Sequence, residues 1–237
     1  MRMSLNFQED RGASQIPLIK RLINELLEEH QLIEYVSRIF TVYSSNDDED
    51  FSIEEMEEQI RRTFSTRKLK LSEGKVEELV EVLLEFYKLP PKQFEKRRAD
   101  VLEGIIYTFG PFSSEIKEGD CKYYIEPLIL DNEQAISELE KKCDVVFYAG
   151  DHKPLEFIEC KANIQNVIPY CFENMRTTHK KKIVYLSECY TYLKEKYCEP
   201  NIIFACYNSN YERQIESLKS NGYEYMRIIS TREIMGA

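Results

Sequence analysis

The chain reads as an α/β protein: a central mixed sheet flanked by helices, preceded by an all-helical N-terminal region. Three observations predict this. Residues 16–87 carry successive apolar stripes at helical spacing and end at Leu89-Pro90-Pro91. Residues 123–158 carry runs rich in Val, Ile, Phe and Tyr, which suit strands. The last third alternates a long helical stretch, the apolar run Asn201 to Tyr207, a short helix and a final strand. Strand, crossover helix, strand indicates a mixed sheet with helices on its faces.

Residues 1–15 are polar and are expected to fray. Ile16, Ile19, Leu22, Ile23, Leu26 and Leu27 make the first i, i+3, i+4 stripe. A second helix is expected from Gln31 to Tyr43. The SSNDDED stretch is a loop, and its acids suit the N-terminus of a third helix beginning near Ser52. A fourth spans Lys75 to Tyr87. The paired prolines then break the helical pattern, and the boundary between a helical region (1–90) and a core (91–237) is placed there. The helical region can bind DNA, dimerise, dock a partner protein or simply cap the core.

The core opens with a helix from Gln93 to Phe109, whose apolar stripe is Ala99, Leu102, Ile105, Ile106 and Phe109. Glu103 flanks that stripe. Tyr123 to Leu130 reads as one strand, and Asp131 to Lys142 as a polar helix or loop. Two more strands follow, Val145 to Tyr148 and one opening at Leu155, joined through the turn residues Gly150, Asp151 and Pro154. A long helix lies within Tyr170 to Tyr197, with Ile183, Leu186, Tyr190 and Leu193 on its apolar face. Tyr211 to Ser220 is a helix and Tyr223 to Ser230 a strand.

Chemistry concentrates at Cys143 to Ala162. Side chains alternate along a strand, so Leu155, Phe157, Glu159 and Lys161 share one face. Glu159 and Lys161 then stand roughly 7 Å apart along the strand. If the two strands pair, Asp144 sits across from them. Two converging carboxylates suit a hard divalent cation such as Mg²⁺ or Mn²⁺. A lysine beside them can orient a water or stabilise developing negative charge. This is apparatus for metal-assisted phosphodiester hydrolysis. The opposing interpretation is a surface ion-pair cluster; against it, Asp144 opens a strongly apolar strand, where an unpaired charge is costly.

Asp144, fourteen intervening residues and then Glu159-Cys160-Lys161 resemble the motif of the PD-(D/E)xK nuclease superfamily, which has the restriction-endonuclease-like fold. The order of elements around the motif, helix and then three strands, is similar too. Cys143 stands where that family often has proline. The resemblance covers residues from about 91 onward. It implies a restriction-endonuclease-like core and a metal-dependent nuclease, most plausibly a DNA endonuclease that restricts foreign DNA. It also implies that Asp144, Glu159 and the Cys160 carbonyl hold Mg²⁺ or Mn²⁺, that Glu103 on the first core helix completes the site, and that Lys161 positions the hydrolytic water. Gln165, just past the motif, is a candidate for touching substrate. Arg176, Lys180, Lys181 and Lys182, at the start of the next helix, are candidates for phosphate contacts.

Composition narrows the alternatives. Hydrophobic residues make up 43% of the chain and charged residues 31%, as in ordinary globular proteins. No apolar run reaches transmembrane length and the start lacks a signal-peptide core, so a cytoplasmic protein is expected. Seven cysteines without a CxxC pair fit reduced thiols. Three histidines without an HxH or HExxH pair, and the lack of a phosphate loop, GxGxxG or GxSxG, remove other common chemistries. The net charge of −10 weighs against strong nonspecific nucleic-acid binding. It favours a rival in which the nuclease fold serves as a binding module without catalysis. An RNase on the same fold is a third reading.

Overall fold

The computed structural model describes residues 5–9, 12–47, 51–117, 120–139, 141–150 and 153–234. Part of the expected acidic loop, at 48–50, and the expected turn residue Asp151 lie outside them. In chain order the elements begin with β1 (Leu5–Glu9), α1 (Pro17–Glu28), α2 (Leu32–Val42), α3 (Ile53–Phe64), α4 (Glu73–Tyr87), α5 (Pro91–Phe109) and α6 (Ser114–Lys117). There follow β2 (Lys122–Ile125), β3 (Pro127–Asp131), β4 (Gln134–Ala135), β5 (Val145–Tyr148) and β6 (Glu156–Cys160). The chain continues with α7 (Thr177–Lys196), β7 (Asn201–Cys206), α8 (Glu212–Ser220), β8 (Met226–Ser230) and α9 (Thr231–Ile234).

Local chemistry explains the helix starts. Pro17 and Pro91 open α1 and α5, where a missing N–H costs nothing. Ser52 and Ser72 cap α3 and α4, each hydroxyl accepting a backbone N–H three residues on, from Glu55 at 3.3 Å and Lys75 at 3.2 Å.

A five-stranded sheet runs in the order β2-β5-β6-β7-β8. The pairs β2·β5 and β5·β6 are antiparallel, and β6·β7 and β7·β8 are parallel. The sheet is therefore mixed, with α7 and α8 as the crossovers between its parallel strands. One face, carrying Val145, Phe147, Ile158, Cys160 and Ile203, packs on α5 and the N-terminal helices. The other, carrying Val146, Phe157, Ile202 and Phe204, packs on α7.

Packing crosses the proline break between α4 and α5. Buried Arg98 of α5 donates to the carbonyls of Phe40 (3.1 Å) and Ser44, next to α2. Tyr207, just past β7, donates its hydroxyl to the Arg98 carbonyl at 2.8 Å. The helical region and one sheet face thus share one apolar cluster.

Three expectations are corrected. Residues Leu5 to Glu9 are not frayed: they form β1, antiparallel to β3, with Phe7 opposite Ile129. Phe7 also stacks on Tyr124, ring centroids 4.4 Å apart. The run Tyr123 to Leu130 is not one strand. Glu126 has φ 46°, the chain turns there, and the halves join different sheets, β2 in the large one and β3 between β1 and β4. The break is held by the Glu126 N–H, which donates to the Asp144 carbonyl at 3.0 Å. Finally, Asp131 ends β3 and a tight hairpin leads to β4. Asn132 and Glu133 both have positive φ, 48° and 68°, as a two-residue hairpin turn requires.

Glu156 shows how the sheet deals with a buried acid that faces away from the Asp144–Glu159 pair. Its carboxylate, fully buried, accepts the N–H groups of Phe112 (2.8 Å) and Ser113 (2.9 Å) in the loop after α5. Glu156→Ala is expected to destabilise the fold by about 1–3 kcal/mol, because both donors lose their acceptor. Divalent-cation affinity should be unchanged. Thermal melts and a Mn²⁺ titration of the variant check the two halves of that statement.

Candidate active site

The register of β5 and β6 builds the site. Val145 pairs with Ile158, Val146 with Phe157 and Phe147 with Glu156. One step further brings Asp144 level with Glu159. The strands hold there because Val145, Val146, Phe157 and Ile158 are all fully buried. Asp144 adds its own lock: its Oδ2 accepts the Cys160 backbone N–H at 2.7 Å. The Lys161 N–H donates to the Ala205 carbonyl at 2.8 Å, which extends the β6·β7 ladder past Cys160 and fixes the motif lysine.

Four charged groups converge at this point. The Lys161 Nζ lies 2.7 Å from Glu159 Oε1 and 3.5 Å from Asp144 Oδ2. The Lys182 Nζ, arriving from α7, lies 2.9 Å from Glu159 Oε2 and 4.0 Å from Asp144 Oδ1. It also donates to the Lys142 carbonyl. Glu159 is fully buried and Asp144 is 8% exposed. Both Glu159 oxygens meet ammonium groups at contact distance, but neither contact has hydrogen-bond alignment.

The electrostatics follow from that geometry. Burial, then the adjacent Asp144 charge, pushes the Glu159 carboxyl up; Lys161 and Lys182 oppose the shift. Burial alone depresses each lysine, but Glu159 and Asp144 together outweigh it and hold both ammonium groups above the usual lysine range. Protonating Glu159 would leave two ammonium groups facing one carboxylate, so the ion-paired state is the self-consistent one. His179, one turn before Lys182, is shifted down, first by burial and then by the charges of Lys161 and Arg176.

The remaining sequence candidates fall into two groups. Cys160 points its thiol to the α5 face, where burial raises its pKa, so its contribution at the acidic pair is limited to the main chain. Glu103 is half-buried on α5, and its charge is felt by Cys160 and Tyr207, residues of that same face. Among the described residues no three His, Cys, Asp or Glu side chains are gathered as a metal cage; the structure brings Asp144 and Glu159 together through the lysines they share. For a nuclease centred on Asp144 and Glu159, Glu103→Gln is expected to slow cleavage less than Asp144→Asn, read as the ratio of initial rates on one substrate.

Gln165 lies in an exposed 3-10 turn, Ile164–Asn166, and its side chain reaches the Asn210 carbonyl at 3.4 Å. The loops after β6 and β7 are tied there, since Ile164 N–H also donates to Asn208 Oδ1 at 3.0 Å. Arg176 stands at the N-cap position of α7 without a side-chain cap hydrogen bond, Lys180 donates to the Glu173 carbonyl at 3.1 Å, and Lys181 is exposed. Lys182 alone of that basic run turns inward. A signal existed for this: Lys182, Leu186, Cys189 and Leu193 follow i, i+4, i+7, i+11, which puts a lysine at the head of a buried stripe.

No family model matches this chain, and no curated protein matches it in sequence. Among the described residues no helix is long and apolar enough to cross a membrane.

Proposed function

We propose that the protein is a Mg²⁺- or Mn²⁺-dependent phosphodiesterase acting on nucleic acid, a DNA endonuclease built on a restriction-endonuclease-like core. The observation that carries this reading is the convergence of Asp144, Glu159 and Lys161 at the ends of β5 and β6. Supporting it is the succession α5, β2, β5, β6, α7, β7, interrupted by α6, β3 and β4, which resembles the arrangement the motif implies. Restriction of foreign DNA as the setting rests on resemblance alone.

The donor set suits a hard cation. Asp144 and Glu159 supply carboxylate oxygens, and both Glu159 oxygens are buried without an aligned hydrogen bond. With the Cys160 carbonyl they are the groups that would hold the ion. A bound Mg²⁺ or Mn²⁺ supplies Lewis-acid stabilisation of charge on the phosphoryl oxygens. Lys161, a three-donor cation held at Glu159, orients the attacking water or offsets negative charge growing on the phosphate. Arg176, Lys180 and Lys181, with Gln165, stand on the exposed side to receive phosphates, and the α7 N-terminus favours anions as well. The N-terminal helices remain available for a second copy or a partner protein.

The second reading, a binding module on the same fold, is favoured by the net charge of −10 and by the two lysines that already neutralise the two carboxylates. A substrate panel separates the readings. Supercoiled plasmid, linear duplex, single-stranded DNA and RNA are incubated with purified protein and Mg²⁺ or Mn²⁺, with and without chelator. Chelator-sensitive cleavage of DNA is expected. Cleavage of RNA alone would make it an RNase, and no cleavage of any substrate would leave the binding module.

A further inference from the structure

Two carboxylates and two ammonium groups sum to no formal charge. A divalent cation approaching Asp144 and Glu159 therefore meets a pair that is already neutralised, and it gains little attraction unless one ammonium withdraws. The fully buried Glu159 explains why such neutralisation is needed: without an internal cation, an ionised carboxylate at 0% exposure is very costly. Lys161 covers Oε1, and Lys182 covers Oε2.

The two lysines are not equivalent. Lys161 is fixed by the β6·β7 ladder and points along the strand face it shares with Glu159. Lys182 reaches in from α7, a different layer of the fold, and has a second partner in the Lys142 carbonyl. That carbonyl keeps a hydrogen bond for Lys182 when it leaves Glu159.

We propose that Lys182 is a place-holding cation: it occupies Glu159 Oε2 in the metal-free protein and yields that oxygen to a divalent cation while keeping the Lys142 carbonyl. The proposal rests on reading Asp144 and Glu159 as metal ligands. It makes Lys182 a positioning residue with two consequences. The metal-free site stays assembled, and metal affinity is set by competition with a residue of the chain itself.

The test is an isothermal titration of Mn²⁺ into the full chain, comparing wild type, Lys182→Met, Lys182→Gln and Asp144→Asn. Methionine keeps the packing of the stem, and glutamine keeps a donor without the charge. Both Lys182 variants are expected to bind Mn²⁺ about tenfold tighter or more than wild type. Their metal-free melting temperatures should fall, and Mn²⁺ should raise them more than it raises wild type. Affinity that is unchanged or weaker in the folded variants, with wild type binding, overturns the place-holder and leaves the metal centre standing. Absence of binding in wild type and in both variants overturns the metal centre as well. A measurement on wild type covers the case in which neither variant folds: acetylation of Lys182, followed by mass spectrometry, should quicken as Mn²⁺ is added. A rate indifferent to Mn²⁺ overturns the proposal.

Discussion

Asp144→Ala is expected to abolish divalent-cation binding and all cleavage. The side chain supplies one of the two carboxylates that face each other across β5 and β6. It also accepts the Cys160 N–H at 2.7 Å. Alanine therefore removes a ligand, unbalances the two lysines and strands a buried N–H, the last at about 1–3 kcal/mol. Asp144→Asn keeps an acceptor for Cys160 and separates the chemical loss from the structural one. Both variants should fail to bind Mn²⁺ by titration and fail to nick plasmid DNA, with alanine melting lower than asparagine. Undiminished nicking by either would remove Asp144 from the chemistry.

Lys161→Ala carries the second large effect. Its ammonium sits 2.7 Å from Glu159 and 3.5 Å from Asp144, so it can act on a water or phosphate beside the carboxylates without ligating metal itself. Turnover should fall by roughly a hundredfold or more, the usual scale for losing one positioned proton-handling or charge-stabilising group. Mn²⁺ affinity should hold or rise, because a competing positive charge has gone. Stability should fall too, since Glu159 is fully buried and loses one of its two counter-ions. Breaking a buried pair from one side costs about 3–5 kcal/mol, and less where the second lysine still compensates. Initial nicking rates, Mn²⁺ titration and thermal melts of the variant test the three parts. Cleavage equal to wild type would exclude Lys161 from the mechanism.

The helices and the motif strands were legible because their signals are local. Ile19, Leu22, Ile23 and Leu26 repeat at helical spacing and all are buried, and the Val145–Phe147 run has nowhere to go but a sheet interior. The facing of Asp144 and Glu159 followed from alternation once β5 and β6 paired. What escaped is set by distant partners. Leu5 to Glu9 is a strand only because β3 pairs with it. Glu126 takes a left-handed conformation that its residue type does not announce, held by the Asp144 carbonyl. The inward turn of Lys182 is masked by Tyr190, whose ring beside Cys189 suggests a stripe register that leaves Lys182 outside. Cys189 is fully buried, and its register carries Lys182 to the interior with it.

That Asp144 and Glu159 form a divalent-cation centre can be tested by anomalous diffraction from crystals soaked in Mn²⁺. An anomalous peak is expected beside the two carboxylates, with Lys161 still at Glu159. A peak elsewhere, or crystals that take up no Mn²⁺ at this pair while both lysines keep their contacts with Glu159, would contradict it.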